Sequence, residues 1–133
     1  MLNLNSSTSA LGRLLLATIF IGSGLGKIAA PSMTLEYISA AGLPLPYVAY
    51  AVSIAIEVGC GILLVLGLHT RTVALILAGF CVVTAVSFHT NFADQNQMIH
   101  FLKNVAIAGG LLQVVTFGPG ALSFDSRRAK YSW

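Results

Sequence analysis

The run from Tyr47 to Leu68 places one charged residue, Glu57, near the middle of twenty-two otherwise uncharged positions. About 20 helical residues cross a hydrocarbon core of about 30 Å, so this run has the length and composition of a transmembrane helix. A carboxylate at the centre of such a helix costs on the order of 2.5–3.5 kcal/mol on insertion scales. The side chain of Glu57 is therefore expected to face the protein interior or water, where a cation or a bound proton compensates its charge.

The composition extends this conclusion to the whole chain. Of its 133 residues, 56% are hydrophobic and 8% are charged, whereas soluble domains carry about 25% charged residues. The composition therefore predicts an integral membrane protein in contact with the lipid bilayer, and the length suits one domain. The sequence has no basic cluster with interleaved aromatic residues and no Gly-rich phosphate loop, so nucleic-acid and nucleotide binding have no support.

The hydrophobic pattern predicts an all-α, up-down-up-down bundle of four helices in a single transmembrane domain, residues 11–118. The predicted spans cover residues 11–28, 47–68, 72–88 and 98–117. They are flanked by a polar tail at residues 1–10 and a basic tail at residues 119–133, with a short interfacial helix at residues 33–41. Gly22 and Gly26 lie on one face of the first span, where they are expected to allow close helix approach.

Basic residues predict the orientation of the bundle. Four spans place both termini on one side of the membrane. That side is expected to hold Arg13, Arg71, Arg127, Arg128 and Lys130, and the other side Lys27 and Lys103. Because Lys and Arg are in excess on the cytoplasmic side of membrane proteins, both termini are predicted to be cytoplasmic.

Polar residues in the other spans are candidate partners for Glu57. Glu57 lies about ten residues, or about 15 Å, into its span, and Lys103 lies about 8–9 Å deep from the same side. A contact between Glu57 and Lys103 therefore requires only that the second and fourth spans face each other. Arg13 approaches from the opposite side, and Asn104 adjoins Lys103. Glu57, Lys103, Asn104 and Arg13 together form the candidate intramembrane polar site.

Further polar residues are secondary candidates for the same site. They are Lys27, Arg71, His89, Asp94, His100 and Gln113. Lys27 and Arg13 also suit a role as anchors at the membrane interface. Two interpretations of Glu57 remain open: a proton-relay, quinone or substrate site, or a structural group that holds the helices together.

The histidines and cysteines give weaker signals. His89 and His100 are eleven residues apart with Asp94 between them, a spacing that matches no compact metal motif, so no metal site is predicted. Both histidines are candidates for proton exchange near neutral pH, with ordinary interface residues as the alternative. Cys60 and Cys81 are expected to be packing residues at similar depths, although a disulfide is the alternative if their Cα atoms lie within about 7 Å.

Several short motifs follow one another along most of the chain. They are Arg13 with Phe20 and the stretch 22–27; Gly42-Leu43-Pro44; Glu57 with Gly61 and the stretch 66–71; Phe101-x-Lys103-Asn104 with Gly109-Gly110-Leu111-Leu112; and Gly118-Pro119-Gly120 before Ser123-Phe124-Asp125. In this order and spacing, over about residues 11–126, they resemble the DoxX family of small bacterial membrane proteins.

The resemblance implies a four-helix bundle in a bacterial inner membrane and a part in an oxidoreductase system with a soluble partner subunit. It also implies that a quinone near Glu57, Lys103 or Asn104, or a cofactor of the partner, carries any electron transfer. No flavin, nicotinamide or haem motif stands in the sequence itself.

Three functions remain open at this stage. The first is a quinone-interacting or membrane-anchoring subunit of a redox complex. The second is a small proton-coupled transporter or permease, which would require a homo-oligomer because the four spans show no inverted repeat. The third is a structural or assembly scaffold.

Overall fold

The computed structural model describes residues 4–131, which form helices joined by short connections. In chain order these are α1 (Leu4–Ala29), α2 (Pro31–Ala40), α3 (Pro46–Leu66), α4 (Thr70–Phe88), α5 (Gln95–Phe117) and α6 (Phe124–Tyr131). Within this range four helices, all except α2 and α6, are long and apolar enough to span a membrane. The predicted all-α four-helix bundle is confirmed, and the predicted interfacial helix corresponds to α2.

The bundle is apolar outside and contains a small packed core. Large side chains such as Leu15 and Leu102 are 64% and 57% exposed, as expected for positions that face lipid. Ala17, Leu77 and Leu111 are completely buried in a small core shared by the spans. Because apolar side chains gain little by leaving lipid, helix association in a membrane depends on close packing rather than on the hydrophobic effect.

Two glycines bring α1 and α3 together. A Cβ atom at Gly24 would lie 2.5 Å from Cγ2 of Val58, and one at Gly61 would lie 2.7 Å from Cγ1 of Ile21. Real Cβ atoms do not approach other carbon atoms this closely, so each glycine marks a place where the neighbouring helix occupies the volume of a side chain.

The predicted contact face of α1, through Gly22 and Gly26, is wrong. A Cβ atom at either position would meet nothing within 4 Å. The buried stripe of α1 passes through Ala17, Phe20 and Gly24, and a helix turns by about 100° per residue. Gly22 and Gly26 therefore lie off that stripe and are exposed.

The first span begins at Leu4, so the prediction of a loose polar tail over residues 1–10 is wrong within the described residues. The hydroxyl of Thr8 donates to the Leu4 carbonyl oxygen at 2.8 Å, and that of Ser9 donates to the Pro119 oxygen at 3.1 Å. Ser and Thr residues whose hydroxyl groups donate to main-chain oxygens in this way are compatible with a helix. The basic tail likewise contains a helix, α6.

Arg13 ties α1 to the end of α3. Its side chain is 1% exposed, and its guanidinium donates to the carbonyl oxygens of Leu64 and Val65 at 2.9 Å and to that of Leu122. Carbonyl groups in the last turn of a helix lack intrahelical partners, and a cation there complements the helix dipole. Arg13 therefore satisfies the end of α3 and holds the loop before α6.

Asp125 caps α4 from outside that helix. Its carboxylate accepts the N–H groups of His69 and Thr70 at 2.8 Å and the hydroxyl of Thr70 at 2.7 Å. Partial burial alone would raise the pKa of Asp125, but the hydrogen bonds from Thr70 and His69 outweigh it and lower the pKa. A carboxylate at a helix N-terminus is stabilising. Arg13 and Asp125, called the terminal network below, therefore close the end of the bundle that carries both chain ends.

The turn between α3 and α4 is shaped to admit the terminal network. Gly67 ends α3 with a φ angle of +68°, the left-handed conformation that glycine adopts without a steric penalty. A Cβ atom there would lie 2.6 Å from Nη1 of Arg13 and 2.5 Å from Cβ of Ser123. Gly67 is thus required by both its backbone conformation and its neighbours.

Replacement of Gly24 with Ala is expected to destabilise the bundle, because the added methyl group overlaps Val58. Overpacking of this kind lowers the free energy of unfolding by about 1–3 kcal/mol. Gly22→Ala is the matched control in the same helix, since its Cβ has open space. Thermal unfolding in detergent, followed by circular dichroism, should give a lower Tm for Gly24→Ala only. Equal Tm values for both variants would contradict the close packing of α1 on α3.

Candidate functional site

Glu57 is buried and paired with Lys27 of α1. Nζ of Lys27 lies 2.7 Å from Oε2 and 2.9 Å from Oε1 of Glu57, and it also donates to Oγ of Ser23 at 2.9 Å. The Lys27 side chain is 23% exposed, whereas that of Glu57 is 5% exposed. The ion pair compensates the charge of the carboxylate at the place where the hydrocarbon layer would penalise it most.

The prediction that Lys103 or Arg13 is the partner of Glu57 is wrong. Arg13 lies fourteen residues before Lys27, about 21 Å away along α1. Its guanidinium already donates to main-chain oxygens of α3 and of the loop before α6. Lys103 is exposed on α5, whereas Asn104 is turned toward the interior. Counting residues along a span estimates the depth of a side chain in the membrane, but it does not show which way the side chain points around the helix axis.

A sequence signal for Lys27 was present. The buried positions Arg13, Ala17, Phe20 and Gly24 are separated by three or four residues, and Lys27 continues that spacing. Residues so spaced share one face of a helix. Both cations of α1 therefore point into the bundle, one near each end, although Lys27 was predicted as a secondary candidate or an interface anchor.

The carboxylate sits on an irregular turn of α3. Ala55–Cys60 is a π-helical turn between the α-helical segments Pro46–Ile54 and Gly61–Leu66. Such turns, with hydrogen bonds from i to i+5, occur frequently at functional sites. Gly24 packs directly on this turn, because a Cβ atom there would lie 3.2 Å from Cβ of Glu57. The hydrophobic pattern of the sequence did not predict this π turn.

A cavity of about 640 Å³ adjoins the ion pair. Its wall is formed by the second half of α1, by α2, by the first half of α3, by the end of α4 and by α5 near Asn104. Most wall residues are apolar; the polar ones are Ser23, Lys27, Thr34, Tyr37, Ser53, Glu57, Thr84, Ser87, His89 and Asn104. A mostly apolar wall with a few polar groups, at this volume, is typical of small-molecule sites.

Helix α2 covers the cavity on the side opposite the chain ends. Thr34, Tyr37 and Ile38 of α2 contribute to the wall. The ring of Tyr37 stacks on that of Phe88 at the end of α4, with centroids 5.1 Å apart and planes 11° from parallel. This contact holds the short helix against the cavity.

Two histidines stack beside the covered end of the cavity. The rings of His89 and His100 are 5.1 Å apart and inclined by 25°, and His89 lines the cavity just after α4 ends. Burial, and then the neighbouring His100, lower the pKa of His89. Asn104 donates from Nδ2 to the His100 carbonyl oxygen at 3.0 Å, which links the pair to the cavity wall.

The remaining predicted site residues lie elsewhere. Asp94 caps α5 by accepting the Asn96 N–H at 2.9 Å, which is why this span begins at Gln95 rather than near residue 98. Arg71 and Gln113 are exposed and do not line the cavity. Within residues 4–131, no three His, Cys, Asp or Glu residues are grouped to hold a metal ion.

The cysteines do not form a disulfide. Cys60 and Cys81 are both free thiols. Cys81 is buried and contributes to the cavity wall, whereas Cys60 is partly buried in the π turn. Their predicted role as packing residues agrees with this placement.

The fold defines a small multi-pass membrane protein with a cavity of ligand size beside a buried ion pair. The family model described as DoxX matches residues 8–90, and the chain belongs to the DoxX family. It is 42% identical over 116 residues to "Inner membrane protein YqjF" of Escherichia coli (strain K12), with 85% of each chain covered. It is 37% identical over 122 residues to "Inner membrane protein YphA" of the same organism, covering 88% of this chain and 87% of the relative.

No solved structure gave a significant match. The inner-membrane relatives and the four apolar helices together identify a multi-pass inner membrane protein. This agrees with the family resemblance and with the predicted location.

Replacement of Lys27 with Met is expected to destabilise the protein strongly, because it leaves the buried Glu57 without a counter-charge. Removal of one partner of a buried ion pair costs about 3–5 kcal/mol, here with some relief from protonation of Glu57. The double variant Lys27→Met/Glu57→Gln should recover much of the loss, and Lys103→Met should have little effect. Denaturation in detergent measures all three. Equal losses for Lys27→Met and Lys103→Met would contradict the pairing.

Stability is expected to fall at mildly acidic pH because of His89. Its pKa is lowered in the folded protein, so the unfolded chain binds more protons and folding weakens as the pH drops through about 6.5. His89→Gln should flatten this part of the pH profile. The measurement is Tm in detergent against pH. An unaltered slope in His89→Gln would contradict the assignment.

Proposed function

We propose that this protein binds a lipophilic quinone in the cavity beside Lys27 and Glu57 and acts as the membrane component of a redox complex. The observation that carries the proposal is the cavity itself: about 640 Å³, mostly apolar, within the spans and polar at the ion pair. A quinone combines an apolar tail with a small polar ring, and this wall offers a surface for each.

The wall residues suit both parts of such a ligand. Phe20, Phe80 and Phe88 present aromatic surface, which packs well against a flat ring. Asn104 presents an amide N–H donor to a ring carbonyl, and the Glu57 carboxylate presents acceptor positions to a ring hydroxyl formed when the quinone is reduced. A bound quinone would supply the two-electron chemistry. The residues of the chain would hold the ring, exclude water and, at the Glu57 carboxylate, accept or return a proton.

The second redox group would come from a partner. In this proposal a soluble oxidoreductase subunit docks at the membrane surface and exchanges electrons with the bound quinone. The family resemblance supports this arrangement, and the relatives' names place them in the inner membrane without stating an activity.

The distribution of basic residues supports cytoplasmic termini. Arg71 and the α6 residues Arg127, Arg128 and Lys130 are exposed at the terminal end of the bundle. Excess basic charge marks the cytoplasmic side. In this orientation the cavity and α2 lie in the outer half of the membrane.

Co-purification tests the proposal directly. The wild type, Asn104→Leu and the exposed control Lys103→Gln are extracted in mild detergent, and bound lipids are identified by mass spectrometry. The wild type and Lys103→Gln should carry quinone, and Asn104→Leu should carry about fivefold less, because the hydrogen bond from the remaining amide N–H of Asn104 to a ring carbonyl is lost. Phospholipid alone in all three proteins, or equal quinone in all three, would argue against the proposed site.

A further inference from the structure

Hydrogen-bond donors and acceptors are unevenly distributed around the ion pair. A lysine ammonium has three N–H donors and a carboxylate has about four acceptor positions. The three donors of Lys27 meet Oε1 and Oε2 of Glu57 and Oγ of Ser23. Among the contacts of residues 4–131, Glu57 therefore keeps free acceptor positions beside the cavity, while Lys27 keeps no free donor.

The other polar groups in the wall offer an acceptor ligand only neutral donors. The hydroxyls of Ser53 and Thr34 already donate to main-chain oxygens at 2.8 Å. Asn104 uses one of its amide N–H groups on a main-chain oxygen and keeps the other. Thr84 adds a hydroxyl, and His89 is neutral above about pH 6.5 because its pKa is lowered.

We propose that the cavity selects a ligand with a ring hydroxyl over one with only ring carbonyls, so that it prefers quinol to quinone, through a hydrogen bond from that hydroxyl to Glu57. This inference rests on the function proposed above and adds the redox form of the ligand. The hydroxyl would donate to a free position of the carboxylate, and Lys27 would keep its three contacts.

Quinol and quinone differ in the strongest hydrogen bond that each can make in this cavity. A hydroxyl that donates to a carboxylate makes a charge-assisted hydrogen bond, roughly twice as strong as a neutral one. A carbonyl can accept only from neutral donors, unless it displaces Ser23 or Glu57 from Lys27. The difference corresponds to about tenfold tighter binding of the hydroxyl form. For a two-electron couple, this tenfold preference raises the potential of the bound pair by about 30 mV.

The test compares ligands of nearly the same shape. A decyl-substituted benzoquinol, the corresponding benzoquinone and the dimethyl ether of the quinol are bound to the full-length protein in detergent, without oxygen, at about pH 7.5. Equilibrium dialysis with chromatographic quantification gives each Kd. The ether keeps the ring and removes both hydroxyl donors, so the comparison of quinol with ether needs no variant.

The quinol should bind the wild type about tenfold more tightly than either the quinone or the ether. In Glu57→Gln this preference should vanish or reverse, because the charged acceptor is lost and Lys27 regains donors for a carbonyl. The neutral pair Lys27→Met/Glu57→Gln provides the same comparison without an unpaired charge, and Lys103→Gln should behave like the wild type.

Each other outcome overturns a defined part of the inference. Equal affinities, or tighter binding of the quinone, would overturn the preference and leave the proposed quinone site intact. An undiminished preference in both Glu57 variants would overturn the role of Glu57 as the acceptor. Failure of all three ligands to bind the wild type would overturn both the preference and the proposed function.

Discussion

The structure depends on keeping a carboxylate within the hydrocarbon layer. Glu57 can be there because Lys27 reaches it from α1, and Lys27 can reach it because α1 and α3 pack closely. Gly24 provides that approach by leaving room for Val58 and for Cβ of Glu57. The π turn carries Glu57 at this contact. One electrostatic requirement therefore accounts for a glycine, a lysine and an irregular helical turn that would otherwise be unrelated features.

The two buried cations of α1 show how one residue class serves two purposes. Arg13 meets main-chain oxygens in the last turn of α3 and in the loop before α6, so its charge stabilises a helix end and a chain connection. Lys27 meets a carboxylate that borders a cavity. An ion pair beside open space remains available to a ligand, whereas a guanidinium enclosed by carbonyl groups does not. The surroundings of each cation, rather than its burial, distinguish a structural role from a ligand-binding one.

Much of the fold was predictable because backbone groups in lipid must be satisfied within a helix, so long apolar runs become spans. The burial of Glu57 followed from the same argument. Its partner did not, because the choice between Lys103 and Lys27 depends on helix rotation: Asn104 faces the cavity and its neighbour Lys103 does not. The spacing of three or four residues from Arg13 to Lys27 indicates that both side chains lie on the buried face of α1. The π turn lies in a run that is apolar on almost every side of the helix, so the run has no hydrophobic periodicity whose interruption could have indicated the turn. The early start of α1 was not predicted because its first residues are polar and were interpreted as a tail. In the structure, the hydroxyls of Thr8 and Ser9 donate to main-chain oxygens, which makes these residues compatible with a helix.

The terminal network has a consequence for the order in which the protein is assembled. The contacts that complete Arg13 and the first turn of α4 come from Leu122 and Asp125, which are synthesised after the last span. During insertion, the first three spans therefore enter the membrane with a guanidinium that lacks one of its three carbonyl partners and a helix end that lacks its capping carboxylate. These contacts form only when the segment after α5 folds back onto the first three spans. Chains that stop before this segment would present unpaired polar groups at the membrane surface, a feature by which incomplete copies differ from finished ones.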